Sequence, residues 1–156
     1  YSSTSAKTMN TAGILMEKGI NFSQIIDDTF YTKTFAQNQI LGQALLNSRL
    51  MLDGAVVGTA VDLKEMERFQ VLPKHLDGIV NQLRVTKGVE AAIFLYENDD
   101  HTWKVSLRSN GKVNVADIAM KYKGGGHVRA AGVTMDGTPE EIYGKICREI
   151  EGQLHD

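Results

Sequence analysis

The chain has 156 residues, of which 42% are hydrophobic and 23% are charged, a composition typical of one globular domain or of one domain with part of another. Its 17 basic and 19 acidic side chains give a formal net charge of -2, which argues against a broad basic surface for long duplex nucleic acid. The single cysteine, Cys147, excludes an internal disulfide framework, and we recognise neither a membrane-length apolar run nor a signal peptide. We therefore expect a cytoplasmic protein that does not contact a membrane.

The first part of the chain has the periodicity of helices. Serine and threonine at residues 2–5 offer N-caps for a helix that Gly19 ends, and Ser23 and Thr34 can cap two more. The third helix carries an apolar stripe of Phe35, Leu41, Leu45 and Leu46. Because no strand lies among these helices to cover their apolar faces, we interpret residues 1–46 as the end of an upstream domain and its linker. We expect these helices to pack poorly on the domain that follows.

The pattern changes at about residue 52, where short apolar runs begin to alternate with helical segments. The predicted strands are Ala55–Val61, Val89–Tyr96, Thr102–Ser109 and an edge strand at Val133–Met135. The predicted helices are Asp62–Phe69, Pro73–Arg84, Val115–Tyr122 and a last helix with Thr138, Pro139 and Glu141 at its start. The sequence therefore predicts an α/β fold for residues 52–156, with a mixed sheet flanked by helices and preceded by the helical segment.

Three consecutive glycines, Gly124, Gly125 and Gly126, form the most conspicuous motif of the chain. Glycines at such positions lose much backbone entropy on folding, and a tight loop of converging N–H groups that binds an anion would explain them. His127 can donate a hydrogen bond to phosphate, and Arg129 can supply a permanent charge. A short helix from His127 to Ala131 would add its dipole. The alternative is a turn that only joins a helix to a strand.

The run Gly124–Gly132 resembles the G-G-G-H-x-x-A-A-G signature of the DHH-associated domain. The segments Gly78–Arg84, Val105–Ser109 and Val113–Ala116 are also similar to that family. The helices to Leu46 resemble the end of the DHH domain and the linker of bacterial nanoRNase/pAp-phosphatase proteins, where pAp is adenosine 3′,5′-bisphosphate. The chain is thus identified by resemblance as the C-terminal part of a DHH-family phosphoesterase.

The resemblance implies a division of labour between two domains. In that family an N-terminal DHH domain holds two metal ions, usually manganese, and the DHH-associated domain binds the substrate across a cleft. By motif match, Gly124, Gly125, Gly126 and His127 would lie at the substrate phosphate and Arg108 would reach the same cleft. Asn114 and Arg129 are further substrate-binding candidates. No catalytic or metal-binding residue is assigned to this chain, so manganese is expected only in the upstream domain and the chain alone is expected to be inactive.

Several functions fit this resemblance. The expected one is the substrate-binding part of a phosphoesterase that acts on short RNA oligonucleotides or pAp, with the DHH domain as partner and with homodimerisation left open. One alternative is a phosphodiesterase for cyclic or linear dinucleotides. Another is a non-catalytic RNA-binding module, such as the similar C-terminal domain of alanyl-tRNA synthetase. A vestigial dimerisation domain is a third alternative.

Some polar residues have simpler interpretations. Asp99, Asp100 and His101 superficially resemble a D-H-H metal motif, but their position between two strands predicts a hairpin turn. Asn81 and Arg84 are interpreted as groups that cap or solvate the end of a helix.

Overall fold

The computed structural model describes residues 4–155, which divide into two compact units, one ending at Thr34 and the other beginning at Phe35. None of the helices between residues 4 and 155 combines the length and apolar character needed to cross a membrane.

The first unit is helical. Helix α1 (Ala6–Glu17) begins with a capping box in which Thr8 N–H donates to the Ser5 hydroxyl at 3.2 Å, and it is followed by Gly19 with φ of 84°. Helix α2 (Phe22–Ile26) is capped by Asn21 and not by Ser23, because the Asn21 carboxamide oxygen already accepts the Gln24 N–H. A π-helix at Asp27–Tyr31 continues α2. The alternative caps Ser2 and Ser3 lie outside the described residues.

The second unit is an α/β domain, which confirms the predicted fold class. Its helices are α3 (Phe35–Leu46), α4 (Leu63–Arg68), α5 (Ile79–Arg84), α6 (Val115–Lys121) and α7 (Pro139–His155). Its strands are β1 (Arg49–Met51), β2 (Val56–Val61), β3 (Ala91–Glu97), β4 (Trp103–Ser109), β5 (Gly125–His127) and β6 (Ala130–Met135). The sheet order is β1-β2-β3-β4-β6-β5, and the sheet is mixed because β2 runs parallel to β3 while the other neighbours are antiparallel.

Helices cover both faces of this sheet. On one face α6 and α7 pack on the inward side chains of β3, β4 and β6. Ile142, Ile146 and Ile150 of α7 are fully buried there, and burying such a side chain stabilises the fold by about 1.5–3 kcal/mol. The predicted start of α7 is confirmed: Glu141 N–H donates to the Thr138 hydroxyl, and Thr138 N–H donates to the Glu141 carboxylate at 2.9 Å. This capping box satisfies backbone N–H groups at the start of the helix and so stabilises it.

On the other face, α3, α5 and the 3₁₀ helix Pro73–Leu76 cover β2 and β3. Helix α3 buries Ile40 and Ala44 in that core, whereas Phe35 and Leu46 of the predicted stripe are exposed. The expectation of poor packing is therefore wrong for α3, whose inward face is set by Ile40 and Ala44. The assignment of residues 1–46 to an upstream domain and linker stays a prediction.

The structure corrects two other predicted elements. Pro73–Arg84 is not one helix, because Gly78 adopts a left-handed φ of 96° that ends the 3₁₀ helix and starts α5. The segment predicted to be a short helix after His127 is instead a hairpin of β5 and β6. Strand β6 spans Ala130–Met135 and lies between β4 and β5, so β5 and not β6 forms the edge. Six consecutive pairings with β4 outweigh the weak helical tendency of so short a segment.

Candidate nucleotide-binding groove

The pairing of the strands places Arg108 and His127 on the same face of the sheet. Arg108 of β4 lies opposite Ala130 of β6, and Ala130 lies opposite His127 of β5. Directly paired residues share a face, and strands are spaced about 4.8 Å apart, so the two side chains arise roughly 10 Å apart with only an alanine between them. This is the face that α3 and α5 cover over β2 and β3, while the side chains of β4, β6 and β5 on it remain half-buried or exposed.

The guanidinium of Arg108 is held in place by neutral groups. Its Nε donates to the Asn81 side-chain oxygen at 3.1 Å, and its Nη1 donates to the Leu107 carbonyl at 2.9 Å. Within residues 4–155 no carboxylate lies within ion-pair distance of it. A fixed guanidinium that has no carboxylate partner and still has unused N–H donors is suited to binding an anion.

The surroundings of Arg108 disfavour the positively charged form of its side chain. Burial, and then the neighbouring positive charge of Arg84, lower the pKa of Arg108 from its ordinary value, while Asp77 offsets part of this effect. Arginine stays protonated regardless. A bound anion would relieve the repulsion between the two guanidinium groups.

Two asparagines, Asn81 and Asn110, form hydrogen bonds that hold Arg108 and Arg84 in place. Asn110 accepts from Arg84 Nη1 at 3.0 Å and donates to the carbonyls of Arg84 and Val89, which ties the end of α5 to the loop after β4. Asn81, on the exposed side of α5, supplies the acceptor for Arg108. The sequence-based interpretation of Asn81 as a residue of a helix end missed this contact, because residues 27 positions apart become neighbours only through the packing of α5 on the sheet.

A groove of about 570 Å³ opens beside Arg108. One wall comes from residues 73–81 and the floor from the outward side chains of β3 and β4. Of the described residues that line it, Lys74, Lys104 and Arg108 are basic and Asp77 is acidic. The groove therefore concentrates positive charge on a chain whose net charge is -2. In the predicted strand Thr102–Ser109, Lys104, Ser106 and Arg108 alternate with apolar residues, and this pattern places them together on the floor. Of the three, only Arg108 was predicted to bind substrate.

The glycines of the motif serve different structural needs. A Cβ on Gly124 would lie 2.4 Å from the Gly132 carbonyl oxygen, and one on Gly126 would lie 2.4 Å from the Ala130 carbonyl oxygen. Gly126 also has a φ of 149°, which L residues rarely adopt. A Cβ on Gly125, in contrast, would meet no atom within 4 Å. Close packing against β6 thus explains Gly124 and Gly126 but leaves Gly125 without a packing reason.

The motif does not form the predicted loop of converging N–H groups. Gly125, Gly126 and His127 form strand β5, so successive N–H groups point to alternate sides. Without the predicted helix after His127 there is also no helix dipole at this place. As the edge strand of the sheet, β5 instead exposes a row of alternate backbone donors and acceptors beside an exposed His127.

Two of the predicted site residues lie apart from Arg108. Arg129 lies in the two-residue turn of the β5–β6 hairpin, and its carbonyl accepts the Ser109 N–H. Its side chain extends towards Gly111 in the loop after β4. Its guanidinium lies 3.4 Å from where a Cβ on Gly111 would be. Asn114 is the N-cap of α6, where its side-chain oxygen accepts from Ala116 and Asp117 N–H and its amide donates to the Asp117 carboxylate. The open face of the sheet therefore carries Arg108, His127 and Gly125, of which Arg108 lines the groove, whereas Arg129 and Asn114 lie elsewhere.

The described residues do not bring together the side chains that a metal site needs. Between residues 4 and 155, no three His, Cys, Asp or Glu side chains are placed to hold one ion. Asp99, Asp100 and His101 form the β3–β4 turn, as predicted: the Asp100 carboxylate accepts from Thr102, and His101 pairs with Glu97 at 2.7 Å. We therefore derive no metal-dependent step from this chain.

Comparisons with known proteins agree with the fold and the motif. The sequence model of the DHHA1 domain matches residues 53–156. The bifunctional oligoribonuclease and PAP phosphatase NrnA of Thermus thermophilus is 26% identical over 155 residues, which is 99% of this chain and 46% of that protein. The protein of the same name from Mycoplasma pneumoniae is 28% identical over 154 residues, covering 99% of this chain and 45% of that protein.

A solved structure described as an exopolyphosphatase-related protein from Bacteroides fragilis has a TM-score of 0.89 and 27% identity, covering 97% of this chain and 45% of the other. The chain spans less than half the length of the curated relatives that it matches. The family match covers well over half of the chain and includes every strand from β2 to β6. The chain belongs to the DHHA1 domain family.

Proposed function

We propose that this chain is the substrate-binding part of a metal-dependent phosphoesterase that acts on short RNA oligonucleotides or pAp. A phosphate of the nucleotide binds beside Arg108 and His127, along the edge strand that carries Gly125. The names of the curated relatives, which describe oligoribonucleases and PAP phosphatases, support this choice of substrate class. The metal ions and the hydrolytic step belong to the upstream DHH domain.

The observation that carries the proposal is the state of the Arg108 guanidinium. It is fixed by Asn81 and by the Leu107 carbonyl, it lies beside a groove, and it has no ion-pair partner among the described residues. An arginine that only solvated a strand would gain little from being held in this way. A held guanidinium keeps its remaining N–H groups aimed, which favours two-point binding of a phosphate.

Isothermal titration calorimetry of the chain with pAp and with a 5′-phosphorylated dinucleotide tests the proposal. Loss of a charge-assisted hydrogen bond costs about 1.5–3 kcal/mol, so Arg108→Ala should weaken binding roughly ten- to a hundredfold. His127→Ala should weaken binding by a similar or smaller factor. Arg148→Ala removes the same charge from an exposed position on α7, which packs on the other face of the sheet, and should leave affinity unchanged.

Unchanged affinity in Arg108→Ala, with the fold intact by circular dichroism, would contradict the proposed site. A second assay addresses the division of labour between domains. With manganese present, this chain should not hydrolyse pAp or short RNA, whereas a protein that includes the upstream domain should. Turnover by the chain alone that disappears in His101→Ala would show that the β3–β4 turn is catalytic and would overturn the proposal.

A further inference from the structure

A second cation of the groove lies on the same strand as Arg108. Lys104 pairs with Tyr96 of β3 and with Thr134 of β6, and it shares the open face because residues four apart on a strand point the same way. Its ammonium has no ion-pair partner among residues 4–155, so its charge is as available as that of Arg108.

The side chain of Lys104 leans towards Gly132 of the neighbouring strand β6, which lies one row nearer to Arg108. Its Cε lies 4.0 Å from the point that a Cβ on Gly132 would occupy. Gly132 is paired with Ser106, which lies midway between Lys104 and Arg108 on β4. The end of the lysine stem therefore lies over a position without a side chain, in a row two residues from the Arg108 row, or roughly 7 Å at 3.4 Å per residue.

In the row between these two cations the open face of the sheet is low, both at the groove floor and beyond it. Ser106, Gly132 and Gly125 form one row across β4, β6 and β5, and Gly125 has open space where a side chain would stand. A sugar or a phosphate can approach the backbone closely there. Lys74 lines the same groove from the wall of residues 73–81 and adds a third positive charge, against one carboxylate, that of Asp77, among the described lining residues.

From this geometry we propose that Lys104 binds a second phosphate of the substrate, one nucleotide away from the phosphate at Arg108. The inference rests on the proposed function and narrows it. The groove should then bind nucleotides with two phosphates more tightly than it binds a nucleoside monophosphate. Such ligands include a nucleoside 3′,5′-bisphosphate and a 5′-phosphorylated dinucleotide. Lys104 is then a specificity-determining residue and Arg108 the general phosphate contact.

The test compares pAp with AMP, which share the adenosine and differ by one phosphate. The dissociation constants of both ligands are measured calorimetrically for the wild type, Lys104→Ala, Lys104→Arg and Arg108→Ala. The wild type should bind pAp at least tenfold more tightly than AMP. Lys104→Ala should bring the two affinities within about threefold of each other by weakening pAp alone, and Lys104→Arg should restore most of the preference. Arg108→Ala should weaken both ligands.

Lys145→Ala is the matched control, since it removes a lysine from α7 on the opposite side of the sheet and should leave the preference unchanged. An unchanged ratio of pAp to AMP affinity in Lys104→Ala would overturn the inference, as would an equal loss for both ligands. If the wild type binds neither ligand, the proposed function fails together with the inference. If the wild type binds both ligands equally, only the inference fails.

Discussion

Replacing each glycine of the motif by alanine in turn separates packing from ligand binding. In Gly125→Ala the new methyl group meets no atom within 4 Å, and Gly125 is not among the residues with positive φ. A substitution of this kind leaves the free energy of unfolding unchanged or raises it by about 0.4–1 kcal/mol, since alanine restricts the unfolded chain. The same methyl group stands on the open face, because Gly125 pairs with Gly132, which pairs with Ser106 of the groove floor.

The two neighbouring glycines should behave in the opposite way. A Cβ on Gly124 would lie 2.4 Å from the Gly132 carbonyl oxygen and 2.6 Å from Val133 Cβ, and one on Gly126 would lie 2.5 Å from Ala131 Cα. Overpacking of this degree typically costs about 1–3 kcal/mol, and the φ of Gly126 adds strain. Both variants should therefore unfold at lower urea concentration than the wild type.

Urea denaturation followed by circular dichroism and calorimetric titration with pAp measure the two effects. We expect Gly125→Ala to keep the wild-type unfolding midpoint and to lose about tenfold in affinity, equivalent to about 1.4 kcal/mol. Destabilisation of Gly125→Ala as large as that of Gly124→Ala would refute the steric argument. Wild-type affinity in a folded Gly125→Ala would show that the ligand does not cross strand β5.

Three further substitutions follow from other contacts. Asn81→Ala removes the acceptor of the Arg108 Nε and should weaken pAp binding about two- to tenfold, while the exposed position keeps the change in unfolding free energy below about 1 kcal/mol; calorimetry and urea denaturation check both. Thr59→Val should raise the unfolding free energy by about 1 kcal/mol in urea denaturation, because the buried Thr59 hydroxyl has no hydrogen-bond partner among the described residues. The His101 hydrogen bond lowers the pKa of Glu97 below its ordinary value of 4.5, so this pair stabilises the fold above that pH and the contribution is lost as the pH falls through the lowered pKa. In His101→Ala the urea midpoint should therefore fall less than in the wild type as the pH is lowered below 4.5. The same fall in both proteins would contradict this role of the Glu97–His101 pair.

Local signals in the sequence were sufficient for most of the α/β domain. The alternation of Trp103, Val105 and Leu107 predicted a strand with one buried face, and the structure buries these side chains on the α6 and α7 side. The capping box at Thr138 and Glu141 predicted the start of the last helix to the residue. In both cases the pattern and the contact that it predicts lie within a few residues of each other.

The errors arose where distant pairing outweighed local preference. The segment after His127 is too short for its local sequence to determine whether it forms a helix or a strand. Its six residue pairs with β4 stabilise the strand. Gly78 was compatible with a helix interior in the sequence, but its left-handed conformation ends one helical segment and starts another. Arg49–Met51 is a strand only because β2 offers it an edge.

In the candidate site, too, local motifs were predicted from the sequence and contacts between distant residues were not. The glycine motif identified the family, but it was predicted as a loop followed by a helix, and the edge strand on which His127 lies was not predicted. The sequence did not reveal that Asn81 holds Arg108, that Lys104 leans over Gly132, or that Arg129 extends towards Gly111. These contacts depend on which strands pair and in which register. Local patterns in a single sequence do not determine that pairing.

The most direct test of the central claim is to map the binding surface of pAp by nuclear magnetic resonance. Amide chemical shifts of the ¹⁵N-labelled chain are followed during a titration with pAp. We predict saturable shifts concentrated at Ser106 and Arg108 of β4 and at Gly125 and His127 of β5, with weak changes on α7. Shifts confined to α7 or to the helices before Thr34, or no saturable change at all, would contradict a nucleotide-binding groove on this face of the sheet.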